Sequence, residues 1–508
     1  MVKNLIAVQQ SVLTLIYQQV SRLVLKEAFK TSTVIFLATL PLLGFMMLTV
    51  PLIEVLWGVE VSLWFLIFGL IILVPGLLVR SQVKMSVEIT LLDSIIASVM
   101  MWLLFPAVSA IPLSLTLKIS YLDAFFENVS GFTGTGFTVL RGLDKMSPGI
   151  LFWRALAQWS GELGFVVFAM VFIPYFYRIG LSVYGLERPV KLETSFYATA
   201  KRLVWIYTLL TIVGAVALYL SGMEPFDALV FSMTGVATGG MSNYDANYDY
   251  VYRQAPLTVY PLIAVMILGA TNFALLDRLL KGDVKSVVSN EEFKLYVVAL
   301  TLLGVLNVVA VYWGNYSSSF QEATISGLFN AISALTTTGF NIGSIGDLPP
   351  GSKLVLVTSM IIGGMTFATA GGIKVLRLLV FLKWFKTTSE NLVTGRKVSL
   401  KVKLDRHIVG EVEIATALLG IVVHLLAVMT GSAIIKLIMP ERDFLDALFE
   451  ASSAAGCVGL SVGIIGQTAP PLVKATLIPL MILGKLEYLP LYGLVGILMV
   501  RKYFKILK

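Results

Sequence analysis

The chain has 508 residues, 57% of them hydrophobic and 13% charged, against roughly a quarter charged in ordinary soluble domains. A soluble fold of this size has too little interior to hide so many apolar side chains, so the composition excludes that class and points to an integral-membrane protein. The formal charge of +8 is carried by basic blocks between hydrophobic pairs: Arg80/Lys84, Arg178–Arg202, Arg278–Lys294, Lys374–Arg406 and Arg501–Lys508. The intervening loops hold fewer, such as Arg141 and Lys145, Arg253, or Lys353. This is the positive-inside pattern; it assigns the surplus to topology and lipid headgroups rather than to nucleic acid, with both termini cytoplasmic. The single cysteine, Cys457, excludes an intramolecular disulfide and a cysteine-cluster metal site.

In chain order, residues 1–30 predict an amphipathic interfacial helix, with Lys3, Arg22, Lys26 and Lys30 among aliphatic side chains. No cleavable signal is visible, so the first spans are expected to target the chain. Two spans follow within 31–84, near 31–56 and 60–79; about 20 apolar residues cross a bilayer core as a helix.

A fourfold rhythm then begins, with units 85–180, 195–283, 290–386 and 405–502, before a tail at 503–508. Each unit places a short segment with a Gly/Thr/Ser-rich end between two long apolar helices. The short segments are DAFFENVSGFTGTGFT (123–138), DALVFSMTGVATGGMS (227–242), SGLFNAISALTTTGFN (326–341) and DALFEASSAAGCVGLS (446–461). About ten helical residues reach only halfway through the hydrocarbon, so each reads as a re-entrant half-helix. Asp123, Asp227, Asp446 and Ser326 stand where N-caps are expected. Non-helical backbone at membrane depth survives only beside protein or water, so the four tails are expected to converge on one wet axis. The predicted fold is all-α and integral to the membrane: four tandem helix–pore loop–helix repeats around one pseudo-fourfold pore, plus two extra N-terminal helices.

Aligned on glycine, the tails read Thr133-Gly134-Thr135-Gly136, Val236-Ala237-Thr238-Gly239, Thr336-Thr337-Thr338-Gly339 and Gly456-Cys457-Val458-Gly459. Successive backbone carbonyls facing one axis supply the oxygen cage that a dehydrated cation needs. Half-helix C-termini aim negative partial charge at the same axis. Small residues for close helix packing are the competing explanation.

The second helices contain RALAQWSGELGF (154–165), LGATNFALL (268–276), IGGMTFATAGGIKVLR (362–377) and LGKLEYLP (483–490). With the pore segments, these resemble the Trk/Ktr/HKT superfamily of potassium transporters over essentially all of 30–502. The two extra N-terminal spans are closest to a Trk-type membrane subunit. The resemblance implies a potassium selectivity filter with the ion held by filter backbone carbonyls, and Gly136, Gly239, Gly339 and Gly459 as its glycines. Gly136, where serine favours sodium in plant members, is consistent with potassium. One shared glycine per unit, fewer than in tetrameric potassium channels, implies weaker discrimination against sodium.

The run Gly363-Gly364-Met365-Thr366-Phe367-Ala368-Thr369-Ala370-Gly371-Gly372 holds four glycines, each costing roughly 1 kcal/mol relative to alanine inside a helix, so this helix is expected to break. By resemblance the break is a gating loop obstructing the cavity below the filter; a glycine-lined helix crossing is the alternative. Lys485 stands where the family usually has arginine, implying a pore-facing charge below the filter; the alternative is an ion pair with Glu162 or Glu487. Glu127 and Glu450 are read as braces of the pore helices or attractors of cations at the mouth. His424 reads as a packing histidine rather than a proton relay.

No G-x-x-x-x-G-K-[ST] loop occurs, so no enzyme or ATP-driven pump is expected, and no cofactor in this chain. The resemblance implies instead a homodimer and a cytoplasmic ring of RCK-type nucleotide-binding regulatory subunits, of the TrkA/KtrA kind, reading ATP/ADP or NAD(H). Lys383–Arg406 and the C-terminal tail are candidate docking surfaces. An alternating-access symporter coupling potassium to sodium or protons is the alternative mechanism.

Overall fold

Long apolar helices with no charge to solvate form wherever lipid leaves the backbone no other hydrogen-bond partner. In a computed structural model, described here over residues 29–82, 91–163, 196–394, 402–404 and 407–488 apart from positions 35, 38 and 318, five helices are long and apolar enough to cross a membrane. The expected 1–30 segment lies outside these residues, except that its last two open the first helix. Residues 164–180 of the first unit, 489–502 of the fourth and the tail 503–508 also lie outside them.

The N-terminal pair comprises α1 (Phe29–Leu56) and α2 (Leu63–Gln82), which meet through glycines. A β-carbon on Gly44 would approach the backbone of Leu73 and Gly69 within 3 Å, and one on Gly76 would meet Pro41. Such contacts replace the hydrophobic driving force that lipid removes. The buried Glu54 at the end of α1 fastens the pair to the first unit: its carboxylate accepts from the Ser62 N–H (2.6 Å), the Ser62 hydroxyl (2.7 Å) and the Ser147 hydroxyl (2.5 Å).

The first unit is α3 (Leu91–Leu117), the short pore helix α4 (Tyr121–Phe132) and α5 (Pro148–Leu163). The second comprises α6 (Phe196–Leu220), pore helix α7 (Pro225–Val236), α8 (Tyr248–Gln254), α9 (Val259–Gly269), α10 (Phe273–Leu280) and α11 (Val284–Ser289). The third comprises α12 (Glu291–Trp313), pore helix α13 (Phe320–Leu335), α14 (Pro350–Ile362) and α15 (Val375–Thr394). A hairpin of β1 (Val402–Leu404) and β2 (His407–Val409), antiparallel with Lys403 opposite Ile408, precedes the fourth. That unit is α16 (Glu411–Ile438), pore helix α17 (Phe444–Ala455) and α18 (Pro471–Lys485).

Burial runs inward. Pore helices α4 and α17 are buried over most of their length, whereas α12 exposes Val298, Leu302 and Val305 along one face. An apolar face as long as a bilayer core is suited to lipid. The fold is therefore that of an all-α, multi-pass membrane protein, the two-stranded hairpin being its one departure among the described residues.

Two expectations about the elements change. The pore helices start earlier than expected: Ser120, Glu224, Ser319 and Asp443 occupy the N-cap positions. Asp123, Asp227 and Asp446 fall in the first turn, where a carboxylate still faces the positive end of the helix dipole. Ser326 lies inside α13 and returns its hydroxyl to the Glu322 carbonyl at 2.8 Å. The second unit also breaks its second helix, which bends by 113° between α9 and α10. Asn272 caps the new start by accepting from the Ala274 N–H at 2.8 Å.

Candidate functional site: a four-strand ring

Each pore helix ends in the same turn. The residue after the helix (Thr133, Ala237, Thr336, Gly456) donates back to the carbonyl four residues earlier. Two positions on, Thr135, Gly239, Thr338 and Val458 donate to Ser130 (2.9 Å), Thr234, Ser333 and Ser453 (2.8 Å each). The second and fourth positions all have positive φ. Gly134, Thr238, Thr337 and Cys457 lie between +48° and +69°, and Gly136, Gly240, Gly339 and Gly459 between +68° and +90°.

This register corrects one expectation. The second unit's counterpart of Gly136, Gly339 and Gly459 is Gly240, not Gly239, and its strand is Ala237-Thr238-Gly239-Gly240. Val236, placed in that strand from the sequence, is the last residue of α7. The available signal was spacing: Gly136, Gly240 and Gly459 each follow their unit's Asp by 13 residues. Glycine alignment chose the first of two adjacent glycines.

The four strands close on one another. A β-carbon on Gly136 would overlap the carbonyl oxygen of Gly239, one on Gly240 that of Thr338, one on Gly339 that of Val458, and one on Gly459 that of Thr135. Each fourth-position glycine thus abuts the third-position carbonyl of the next unit, in the cycle 1–2–3–4–1. Glycine is required twice over, by positive φ and by contact with backbone.

Beyond the fourth positions lies an open vestibule of about 500 Å³ lined by all four units, including Phe137, Asn247, Asn341 and Ser461. Asp245 and Asp249 reach it, and their carboxylates hold the neighbouring turns: Asp245 accepts from the N–H groups of Gly142 (2.8 Å) and Leu143 (3.0 Å), and Asp249 from Gly343 (3.0 Å). Glu127 and Glu450 are braces. Glu127, buried, accepts from the Val139 N–H and the Thr138 hydroxyl (3.0 Å each) and pairs with Arg154 at 2.9 Å. Glu450 accepts from the N–H groups of Val462 (3.2 Å) and Ile465 (2.9 Å). Asn330 does the same in the third unit, through both the N–H and the carbonyl of Ile342.

At the opposite end of the strands, α14 stops at Ile362 and the chain stays irregular to Lys374. This segment lies against the helix-side ends of the strands of three units. The Thr369 hydroxyl shares its one proton between the carbonyls of Val236 (3.1 Å) and Gly269 (2.8 Å) and accepts from the Thr238 hydroxyl (3.1 Å). The Gly371 N–H donates to the Thr337 hydroxyl at 2.8 Å, and a β-carbon there would overlap the Gly456 carbonyl. Met365 donates to Ala270 (3.0 Å) and Thr366 to the Glu292 carboxylate (2.6 Å). The expected helix break is present, and its glycines also make the close backbone contacts of the packing alternative, as at Gly363 against Gly371.

Lys485 takes the ion-pair alternative: its ammonium binds the Glu162 carboxylate and lies 5.4 Å from the Trp102 ring centroid. A half-buried ammonium is stabilised by such a partner. Glu162 in turn fills the space beside Gly134. Glu487 pairs with Arg377. His424 is buried, with its Nδ1 3.0 Å from the Tyr488 hydroxyl, consistent with packing. Among the described residues no group of His, Cys, Asp and Glu is arranged to hold a metal.

Comparison with known proteins agrees with this architecture. The family described as TrkH, cation transport protein, matches residues 63–303 and 284–502. The chain is 32% identical over 402 residues to the Trk system potassium uptake protein TrkH of Escherichia coli K12, covering 77% of this chain and 82% of that protein. It is 29% identical over 470 residues to an uncharacterized cation transporter of Methanocaldococcus jannaschii, covering 92% and 94%. The crystal structure of the potassium transporter TrkH from Vibrio parahaemolyticus resembles it with a TM-score of 0.80 at 27% identity, over 91% of this chain and 98% of that one.

Proposed function

This chain belongs to the TrkH family of cation transport proteins, and from that premise we propose that it takes up potassium through a gated, channel-like filter at the four-strand ring. The observation that carries this reading is the closed cycle of Gly136, Gly240, Gly339 and Gly459 against the carbonyls of Gly239, Thr338, Val458 and Thr135. Carbonyl rings replace a hydration shell, and the four pore-helix C-termini add negative potential at the inner end. The vestibule admits hydrated ions, and membrane potential drives them inward. Relatives named as potassium uptake proteins support potassium as the ion.

The irregular segment Gly363–Gly372 is the gate. It straps the inner ends of the second, third and fourth strands, so an ion leaving the filter meets it first. The Lys485 ammonium, partly neutralised by Glu162, adds a barrier to cations at this end. The relatives' names refer to a Trk system, which supports a multi-component assembly. We assign it a homodimeric membrane part and a cytoplasmic RCK-type ring that reads ATP/ADP or NAD(H) and pulls on the gate. The basic blocks support a cytoplasmic location for both termini.

The test is potassium flux into liposomes holding the purified chain, with and without its nucleotide-loaded partner. Flux that follows the imposed potential supports the reading. Absence of flux with the partner present, or uptake strictly coupled to protons or sodium, would replace it. Gly136→Ser should lower the potassium-to-sodium ratio, because the new β-carbon displaces the Gly239 carbonyl.

A further inference from the structure

The second helices align on Gly161, Gly269, Gly363 and Gly484, and in three of the four units this glycine presses on the last carbonyl of its own pore helix (Phe132, Val236, Ala455). Three residues before it stand Gln158, Met266, Met360 and Met481. Seven before it stand Arg154, Leu262, Leu356 and Leu477. The three Leu/Met pairs are apolar and buried. Only the first unit puts polar groups here, and both reach the strand of the second unit. An Arg154 guanidinium nitrogen donates to the Ser242 carbonyl at 2.6 Å. The Gln158 amide donates to the Gly239 carbonyl at 2.7 Å, while its oxygen accepts from the Met241 N–H at 3.0 Å.

The second unit is also the odd one at the third strand position. Thr135, Thr338 and Val458 are β-branched there, and the two threonines are braced by Thr133 and Thr336 through hydroxyl contacts of 2.8 Å. Gly239 has no side chain to brace. A β-carbon added to it would meet, as its three nearest atoms, the carbon, nitrogen and oxygen of the Gln158 amide. The glutamine therefore fills the space that a β-branched residue fills elsewhere, and it holds the carbonyl that abuts Gly136.

We propose that Gln158 is a positioning residue that sets ion selectivity, acting as a surrogate side chain for Gly239. Its amide fixes the direction of one of the four third-position carbonyls. By donating to that oxygen it also weakens the oxygen's field toward the axis. Weak-field oxygen favours the larger, more easily dehydrated cation, one of the two physical origins offered for potassium selectivity. The inference rests on the filter assigned above.

The experiment is paired potassium and sodium flux in liposomes for wild type, Gln158→Leu, Gly239→Thr and the double variant Gln158→Met/Gly239→Thr, which rebuilds the Met and β-branched pairing of the other units. Gln158→Leu and Gly239→Thr should each lower the potassium-to-sodium ratio by roughly fivefold or more, about what the loss of one hydrogen bond to a carbonyl allows. The double variant should recover most of the wild-type ratio. A Gln158→Leu ratio within about twofold of wild type, or a double variant no more selective than Gly239→Thr, overturns the proposal. Gln158→Asn, which keeps the amide but shortens its reach, serves if the leucine variant does not fold; it too must lose selectivity. Wild type that carries no potassium would sink the filter itself, an outcome separate from any loss confined to these variants.

Discussion

Behind the ring the third unit's helix stops at Ile362 and a long irregular run leads to Val375, whereas the fourth unit's helix ends one residue past its aligned glycine, at Lys485, in the turn Leu486–Tyr488. Their strands are nevertheless built alike. Thr338 and Val458 donate to Ser333 and Ser453 at the same 2.8 Å, and the Gly339 and Gly459 N–H groups donate to the same two serines' hydroxyls at 3.0 Å. The comparison separates two kinds of constraint. The ring is made from backbone turns and one supporting hydroxyl, so it tolerates Thr-Thr-Thr-Gly in one unit and Gly-Cys-Val-Gly in the other. Individuality sits in the second helices: a strap in the third unit, a lysine in the fourth, a polar stripe in the first.

The sharpest way to break this comparison is at the ring, where every unit should be equally intolerant. Gly240→Ala sets a β-carbon against the Thr338 carbonyl at a φ of +68°, and the backbone strain alone is about 1–3 kcal/mol. The potassium-to-sodium ratio should collapse, as for Gly136→Ser and Gly339→Ala. Gly239→Ala should lose less, because only the movable Gln158 amide stands in its way. If Gly239→Ala were the unselective variant and Gly240→Ala the selective one, the one-residue shift of register would be wrong.

A middle-sized effect is expected at the third unit's strap. Thr369→Val removes the hydroxyl bonded to Val236, Gly269 and Thr238. One or two hydrogen bonds of about 1 kcal/mol each shift a closed-to-open equilibrium by about tenfold. Basal potassium flux without the partner should rise accordingly. A fall would mean that the segment supports the ring instead of obstructing it.

The smallest effects belong at the outer rim, where the two units are clamped to their neighbours. Lys353 of the third unit binds Asp446 of the fourth at 2.8 Å, and Lys474 of the fourth binds Asp123 of the first. Lys353→Met, at a pair only 12% and 15% exposed, should cost at least about 1 kcal/mol of stability, the upper range for surface pairs, read as a lowered unfolding temperature in detergent with selectivity unchanged. Lys474→Met should cost more, its ammonium being the better buried. Equal losses would show that both pairs are solvated alike.

Much of this arrangement is legible in the residues, and the failures are specific. The helix break at Gly363–Gly372 could be anticipated because four glycines oppose a helix locally. The break after Gly269 could not, since Ala270-Thr271-Asn272 is ordinary helix sequence until Asn272 finds a first turn to cap. The Asp residues look like N-caps because they begin the repeated motif, yet Ser120 and Asp443, outside it, hold those positions. Bracing is one of the two roles that the recurrence of Glu127 and Glu450 suggests; the choice between them rests on strands that return beside the pore helix 11 to 15 residues later, a proximity no local pattern encodes.

Hydropathy and internal repetition alone determine the membrane class, the four units and the positions of their turns, because span length and backbone satisfaction in lipid are properties of local sequence. That Lys485 meets Glu162, that Glu487 meets Arg377, and that Gln158 reaches a neighbouring unit's carbonyl are decided only when the four units pack. Those contacts join residues from different repeats, and their geometry comes from the ring rather than from any one segment of chain.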